Sequence, residues 1–289
     1  MISQSLSPVK TSPMRNVSSF LKIIYNKIVY LSILIYAKVQ KICKIKLRGG
    51  EKMRLKLIFN LQNEHFPIQY RKNMMSFIKL SLSDYNEEYY KRLYNQKDNI
   101  IKPYTFAVFL KGAKFKEEEI WVEGKKVELN MAIADQEIAV ILYNSFNHQK
   151  HKKFSIDKNS MTLENITMLV EKEINENQVM IKFMSPLIAR NRQDRKDYYY
   201  SFNHEEFLET LKINIKEQLK ITNIPLEYVN DFKIETIEGK KVITKFYEKK
   251  IEGTLGTFKL SGNKELLKYL YQAGIGSKRS SGFGMFQII

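Results

Sequence analysis

The chain has 289 residues, 44% hydrophobic and 27% charged, which sets aside wholesale disorder, collagen-like repeats and disulfide scaffolds and favours two domains of ~100–150 residues over one. Its one cysteine, Cys43, cannot form an internal disulfide, and residues 44 to 289 therefore offer no thiolate zinc site and no cysteine nucleophile, the usage of a cytoplasmic protein. With 48 Lys and Arg against 31 Asp and Glu, the net charge of +17 points to an anionic partner, nucleic acid ahead of a membrane.

Residues 1 to 52 carry ten basic side chains and one acid, Glu51, so +9 of the +17 lies there and the remaining 237 residues hold only +8. The apolar stretch from Phe20 to Ile42 is broken by Lys22, Lys27, Lys38 and Lys41, leaving Ile28 to Ala37 as an uncharged run of ten, too short to span a bilayer. A secretory signal would need an A-x-A-like cleavage site, and more Lys follows instead. Arg48-Gly49-Gly50-Glu51-Lys52 can be encoded by a purine-rich ribosome-binding sequence just ahead of Met53. Residues 1–52 are therefore expected to be a non-native or disordered extension, with translation starting at Met53.

From Met53 to Asn60, Leu55, Leu57 and Phe59 alternate with Arg54 and Lys56, the period of a half-buried strand. Met74, Phe77, Ile78 and Leu82 then fall at helical spacing, and a second helical stretch covers Asn86 to Tyr94. Pro103 suits a strand start and precedes Tyr104 to Leu110. A strand around Val127 to Ala134, a helix on Ile138, Ile141, Leu142 and Phe146, and a strand from Met161 to Val170 complete the order β-α-β-β-α-β.

The same order recurs after the polar stretch Glu171 to Gln178. A strand is expected at Val179 to Ala189, a helix at Glu205 to Leu219 on Phe207, Leu208, Leu211 and Ile215, and paired strands near Phe232 to Ile237 and Lys240 to Tyr247. Gly253 to Leu260 extends that hairpin, Asn263 to Tyr271 forms the last helix on Leu266, Leu267 and Leu270, and Phe283 to Ile289 closes the sheet. The fold class is α+β, two tandem ferredoxin-like (RRM-like, βαββαβ) domains, with residues 53–174 as the first and 175–289 as the second.

Between the last helix and the last strand, Gly274, Gly276, Gly282 and Gly284 accompany Lys278 and Arg279. Glycine admits positive φ and lets backbone N–H groups approach a ligand, and the two cations add charge, so the loop reads as phosphate-contacting. A flexible turn with two solvated cations is the plainer alternative. The spacing follows neither the Walker nor the dinucleotide order.

The G-x-G-x-x-x-x-x-G-F-G loop followed by an apolar strand, at the end of two tandem ferredoxin-like halves, resembles the CRISPR-associated repeat-RNA endoribonucleases of the RAMP superfamily. The likeness extends to the opening strand, Pro67-Ile68-Gln69-Tyr70-Arg71-Lys72, Ser76-Phe77-Ile78-Lys79, Tyr104-Thr105-Phe106 and Ser185-Pro186-Leu187, so it covers Met53 to Ile289. It implies an enzyme that cuts precursor CRISPR transcripts inside each repeat without metal, the 2′-OH attacking the adjacent phosphorus to leave a 2′,3′-cyclic phosphate and a 5′-OH. Implied partners are CRISPR repeat RNA and proteins of a CRISPR effector complex, with a homodimer left open and no membrane. No cofactor is implied.

That reaction needs an acid, a base and a cation at the phosphate. In many members a His near the end of the second helical stretch takes part, with a Tyr from the preceding helix and a Lys. Here the His position falls at Tyr94, the Tyr position at Lys79, and Lys102 before Pro103 is the Lys equivalent. Three readings stay open. Tyr94, with Lys79 or Lys102, carries the chemistry; or a His from elsewhere does, His65 ahead of His148 and His151; or the chain binds the repeat as a non-cleaving subunit of an effector complex. Arg190, Arg192 and Arg195, close to Tyr198, Tyr199 and Tyr200, mark a second RNA surface, since Arg forks phosphates and Tyr stacks on bases. The acids cluster as Glu117-Glu118-Glu119 and Glu205-Glu206, which argues against two-metal hydrolysis. A membrane-tethered protein using residues 20 to 42 is the rival from another class.

Overall fold

The computed structural model describes residues 53–94, 100–247 and 249–289, and the expectations placed on residues 1–52 lie outside them. Residues 51–289 form one compact unit. Its first half runs β1 (Met53–Leu61), β2 (His65–Pro67), α1 (Tyr70–Tyr85), α2 (Glu87–Tyr94), β3 (Tyr104–Leu110), β4 (Ala113–Phe115), β5 (Glu119–Val122), β6 (Lys126–Ile133), α3 (Gln136–His148), β7 (Lys153–Ile156) and β8 (Asn159–Leu169). The second runs β9 (Gln178–Phe183), β10 (Ala189–Gln193), β11 (Lys196–Tyr200), α4 (Phe207–Leu219), β12 (Lys233–Phe246), β13 (Lys249–Ser261), α5 (Lys264–Ala273) and β14 (Phe286–Ile288).

The alternation in β1 buries Leu55, Leu57 and Phe59 on one face. Against that face α1 sets Met74, Phe77, Ile78 and Leu82, and the Phe77 ring meets Phe59 edge-on at 5.0 Å and stacks on Phe146 of α3 at 5.9 Å. Asp135 starts α3 by accepting a hydrogen bond from the Ile138 N–H at 2.8 Å. All pairings are antiparallel, in the order β3-β6-β1-β8-β7, while β2, β5 and β4 form a small separate sheet. The second large sheet has the order β12-β13-β9-β14, antiparallel throughout. Within each sheet the four ferredoxin strands therefore stand in the spatial order second, third, first, fourth. The fold is two tandem ferredoxin-like halves, with β8 ending at Leu169 and β9 beginning at Gln178.

Two expectations need correction. The strand expected at Val179 to Ala189 stops at Phe183, where the chain turns through Met184 and Ser185 to Pro186. The residues expected as strands Phe232 to Ile237 and Lys240 to Tyr247 are one strand, β12, with a bulge between Thr236 and Glu238. Gly239 marks no turn: it pairs with Gly256, and a Cβ there would lie 2.6 Å from the Phe202 ring, so the glycine admits that ring. The segment from Arg190 to Tyr200, for which the sequence offered no element, is a hairpin turning at Asp194 and Arg195 with φ of 49° and 62°.

Arg54 fastens the halves together. Although it sits on β1 among alternating apolar residues, it is buried, stacks on the Tyr271 ring at 3.7 Å, and donates to the carbonyls of Tyr271 and Phe286 at 2.7 and 2.8 Å. Burial depresses its proton affinity, opposed by Tyr271 and Glu171. Replacing Arg54 with alanine removes the donor to two buried carbonyls, and we expect a loss of about 3 kcal/mol or more in urea unfolding of the full chain.

Candidate active site

The residues singled out around the absent histidine come together in space. Tyr94 ends α2, Lys79 lies on α1, and Lys102 precedes β3. The Lys79 ammonium is 5.2 Å and the Lys102 ammonium 4.8 Å from the Tyr94 ring centroid, both within cation–π range. The Tyr94 hydroxyl meets that of Tyr104, the first residue of β3, at 2.5 Å, and Tyr90 stacks one turn back at 5.4 Å. Tyr104 is fully buried; a buried phenol needs a partner, and Tyr94 supplies it.

Burial sets the electrostatics of this cluster. The Tyr94 phenol is pushed up to about 12, first by desolvation and also by Tyr90, with the Tyr104 hydrogen bond opposing. Tyr104 is raised further for the same first reason. Lys102 is lowered, first by desolvation and then by the Lys79 charge. At neutral pH Tyr94 therefore keeps its proton, while Lys102 gives one up more readily than an exposed lysine.

His65 belongs to a different place. It lies in β2, where its Nδ1 meets Glu119 Oε2 at 2.7 Å and its ring meets Trp121 edge-on at 5.1 Å. His148 packs near Tyr85, and His151 lies 3.9 Å from Glu164. Each of the three makes its contacts away from the Tyr94 cluster.

The glycine-rich loop is more tightly built than a ligand-cradling turn requires. Gly274, Gly276, Gly282 and Gly284 are all buried with φ between 71° and 88°. A Cβ on Gly282 would lie 2.5 Å from the Phe106 ring, and one on Gly274 would lie 2.7 Å from Thr105, so the loop packs directly on β3. Several of its N–H groups are used internally: Ile275 donates to Gly284, Ser277 to Ile188, and Gly284 to Pro186. Thr105 Oγ1 donates to the Phe283 carbonyl at 2.7 Å and Arg71 Nε to the Gly282 carbonyl at 3.2 Å. Arg279 is buried, its guanidinium donating to the Ala273 carbonyl at 2.7 Å. Lys278 is partly open, lowered by burial first and then by Arg190, which places two cations from distant segments near one another. Arg190 also meets Asp197 at 3.5 Å, while Arg192 and Arg195 are exposed around the hairpin turn.

Residues 169–288 match the family model described as CRISPR associated protein Cas6, C-terminal. A protein of Pyrococcus furiosus named "Putative CRISPR-associated endoribonuclease-like protein Cas6" is 26% identical over 223 residues, 71% of this chain and 91% of that protein, so the likeness reaches the first half as well. Residues 169–288 therefore carry the signature of the Cas6 C-terminal domain, and the chain is similar to Cas6 proteins over most of its length. A protein of Methanocaldococcus jannaschii named "CRISPR-associated endoribonuclease Cas6 1" is 24% identical over 254 residues, 81% of this chain and 92% of that protein. The solved structure titled "Characterization of a Cas6-related gene from Pyrococcus furiosus" has a TM-score of 0.73 at 24% identity, covering 82% of this chain and 98% of that one, and so shares the fold.

Two features of this site escaped the sequence reading. Tyr104 entered only as a strand residue and as part of the Tyr104-Thr105-Phe106 likeness, without its role as the partner of the Tyr94 hydroxyl. Lys249, which also lowers Lys278, carried no signal, because its neighbourhood arises from the β12–β13 turn.

Proposed function

We propose that this chain binds CRISPR repeat RNA and cleaves precursor transcripts by transesterification at the Tyr94, Lys79 and Lys102 cluster. The observation that carries the reading is the convergence of these three side chains from α1, α2 and the segment before β3, around the position where the family resemblance puts its histidine. The attacking 2′-oxygen forms a bond to phosphorus as the bond to the 5′-oxygen breaks. The 2′-hydroxyl proton passes to solvent, and a proton must reach the departing 5′-oxygen. Lys102 serves as that donor. Tyr94, whose phenol holds its proton up to about 12, donates a hydrogen bond to a phosphoryl oxygen when Tyr104 supplies the shared proton between the two hydroxyls. Lys79 offsets the charge that builds on the phosphorane.

Arg190, Arg192, Arg195 and Lys278 form the cationic surface that holds the repeat, with the glycine loop keeping Lys278 in register with β10. Among the described residues no helix is long and apolar enough to cross a membrane. A second reading, a non-cleaving repeat-RNA-binding subunit, is favoured by one observation: the raised Tyr94 phenol replaces a group that would exchange protons near neutral pH. Incubating the full chain with labelled repeat RNA in EDTA decides between them. Cleavage is expected to persist in EDTA and to stop when the mapped cut carries a 2′-deoxy substitution. Tight binding with no cut would leave the non-cleaving reading, and loss of cleavage in EDTA would overturn the metal-independent mechanism.

A further inference from the structure

A second cationic feature lies where the start of α1 faces the end of the β12–β13 hairpin. Ile68, Gln69, Arg71, Lys72, Lys245, Phe246 and Tyr247 line a shallow surface cleft there. Its lining has no acid. The Lys72 ammonium lies 6.0 Å from the Tyr247 ring centroid, and Lys278 of the glycine loop lies 5.5 Å from the ring of the neighbouring Phe246. Among the described residues, Lys72, Lys245 and Lys278 stand within ion-pair distance of no carboxylate, although nine other basic residues do. Phe246 is built into a small buried cluster with Ile188, Ile251 and Phe283, whereas Tyr247 is 49% exposed at φ 52°. A bulky residue held at positive φ at a hairpin end, with its ring half open and the Lys72 ammonium beside it, offers a face on which a base can stack.

We propose that this cleft docks an unpaired stretch of RNA, one base stacking on Tyr247 while Lys72, Lys245 and Lys278 hold the flanking phosphates. The proposal rests on the RNA-binding reading above and adds to it a site remote in sequence from the Tyr94 cluster. A paired base hides its faces in the helical stack, so an aromatic platform of this size selects single-stranded nucleotides.

The test uses the full chain and repeat RNA carrying 2-aminopurine at each unpaired position in turn. Quenching is expected at one position, lost in Tyr247→Ala and retained in Tyr247→Phe, with binding weakened about tenfold by alanine alone. Lys72→Ala and Lys245→Ala are each expected to reduce the slope of log affinity against log salt by about 0.7. If the chain binds the RNA and Tyr247→Ala leaves both affinity and quenching unchanged, the docking inference falls while the RNA-binding reading stands. If the unaltered chain binds no RNA, both fall.

Discussion

Replacing Lys102 with alanine lowers the single-turnover rate of repeat-RNA cleavage about 100- to 1,000-fold, the range seen when a proton donor or a charge-stabilising group is removed. Affinity for uncleavable 2′-deoxy RNA changes far less, because a single phosphate contact is one of many. The pH profile separates a proton donor from a structural lysine. Lys102 is lowered by burial and by Lys79, so it loses its proton as pH rises through a value below the ordinary 10.5, and the rate falls along that limb. Lys79→Ala removes the repulsion and moves the limb to higher pH, even as it slows the reaction. Folding follows the opposite sign: the unfolded chain binds the Lys102 proton more readily, so this group's contribution to stability falls as pH drops from 10.5 through its folded value. A rate unchanged by Lys102→Ala would remove it from the chemistry.

Gly284→Ala destabilises the fold by roughly 3 kcal/mol or more, read as a shift in the urea midpoint at unchanged slope. With φ at 71°, the added Cβ would overlap the Ile275 carbonyl oxygen, and that oxygen is itself fixed by its place in the loop. Gly124→Ala is the control. Gly124 has a similar φ of 75° with nothing within 4 Å of its added Cβ, so it carries only the backbone strain of about 1–2 kcal/mol. The difference between the two variants measures the close packing of the loop. Equal losses would show that the loop yields and that its glycines serve some other purpose.

The parts of the fold legible in the sequence are those in which periodicity and burial agree. Leu55, Leu57 and Phe59, or Met74, Phe77, Ile78 and Leu82, declare their element because each has one apolar face turned to one core. β12 hides itself because it is an edge strand, largely polar along its length and bulged midway, so Glu238-Gly239 imitates a turn. The β10–β11 hairpin is concealed for a related reason: its turn uses Asp194 and Arg195 at positive φ, with no glycine or proline to announce it. At the candidate site, family likeness pointed to Tyr94, Lys79 and Lys102, whereas the Tyr104 partner depends on how α2 meets β3. The glycine loop showed its backbone freedom in the sequence, but the reason for it, a close approach to Thr105 and Phe106, appears only when the halves are assembled.

The hydrogen bond from Arg54 to the Phe286 carbonyl joins residues 232 positions apart. At roughly 5–20 residues per second, the ribosome delivers Phe286 about 10–50 s after Arg54. During that interval the first strand carries a guanidinium meant for the interior with no carbonyl to receive it, so the first half waits in a provisional packing. Synthesis rate and chaperone access in those seconds then bear on yield, and variants at Arg54 would first show themselves as a change in how much chain matures rather than in how well the mature chain works.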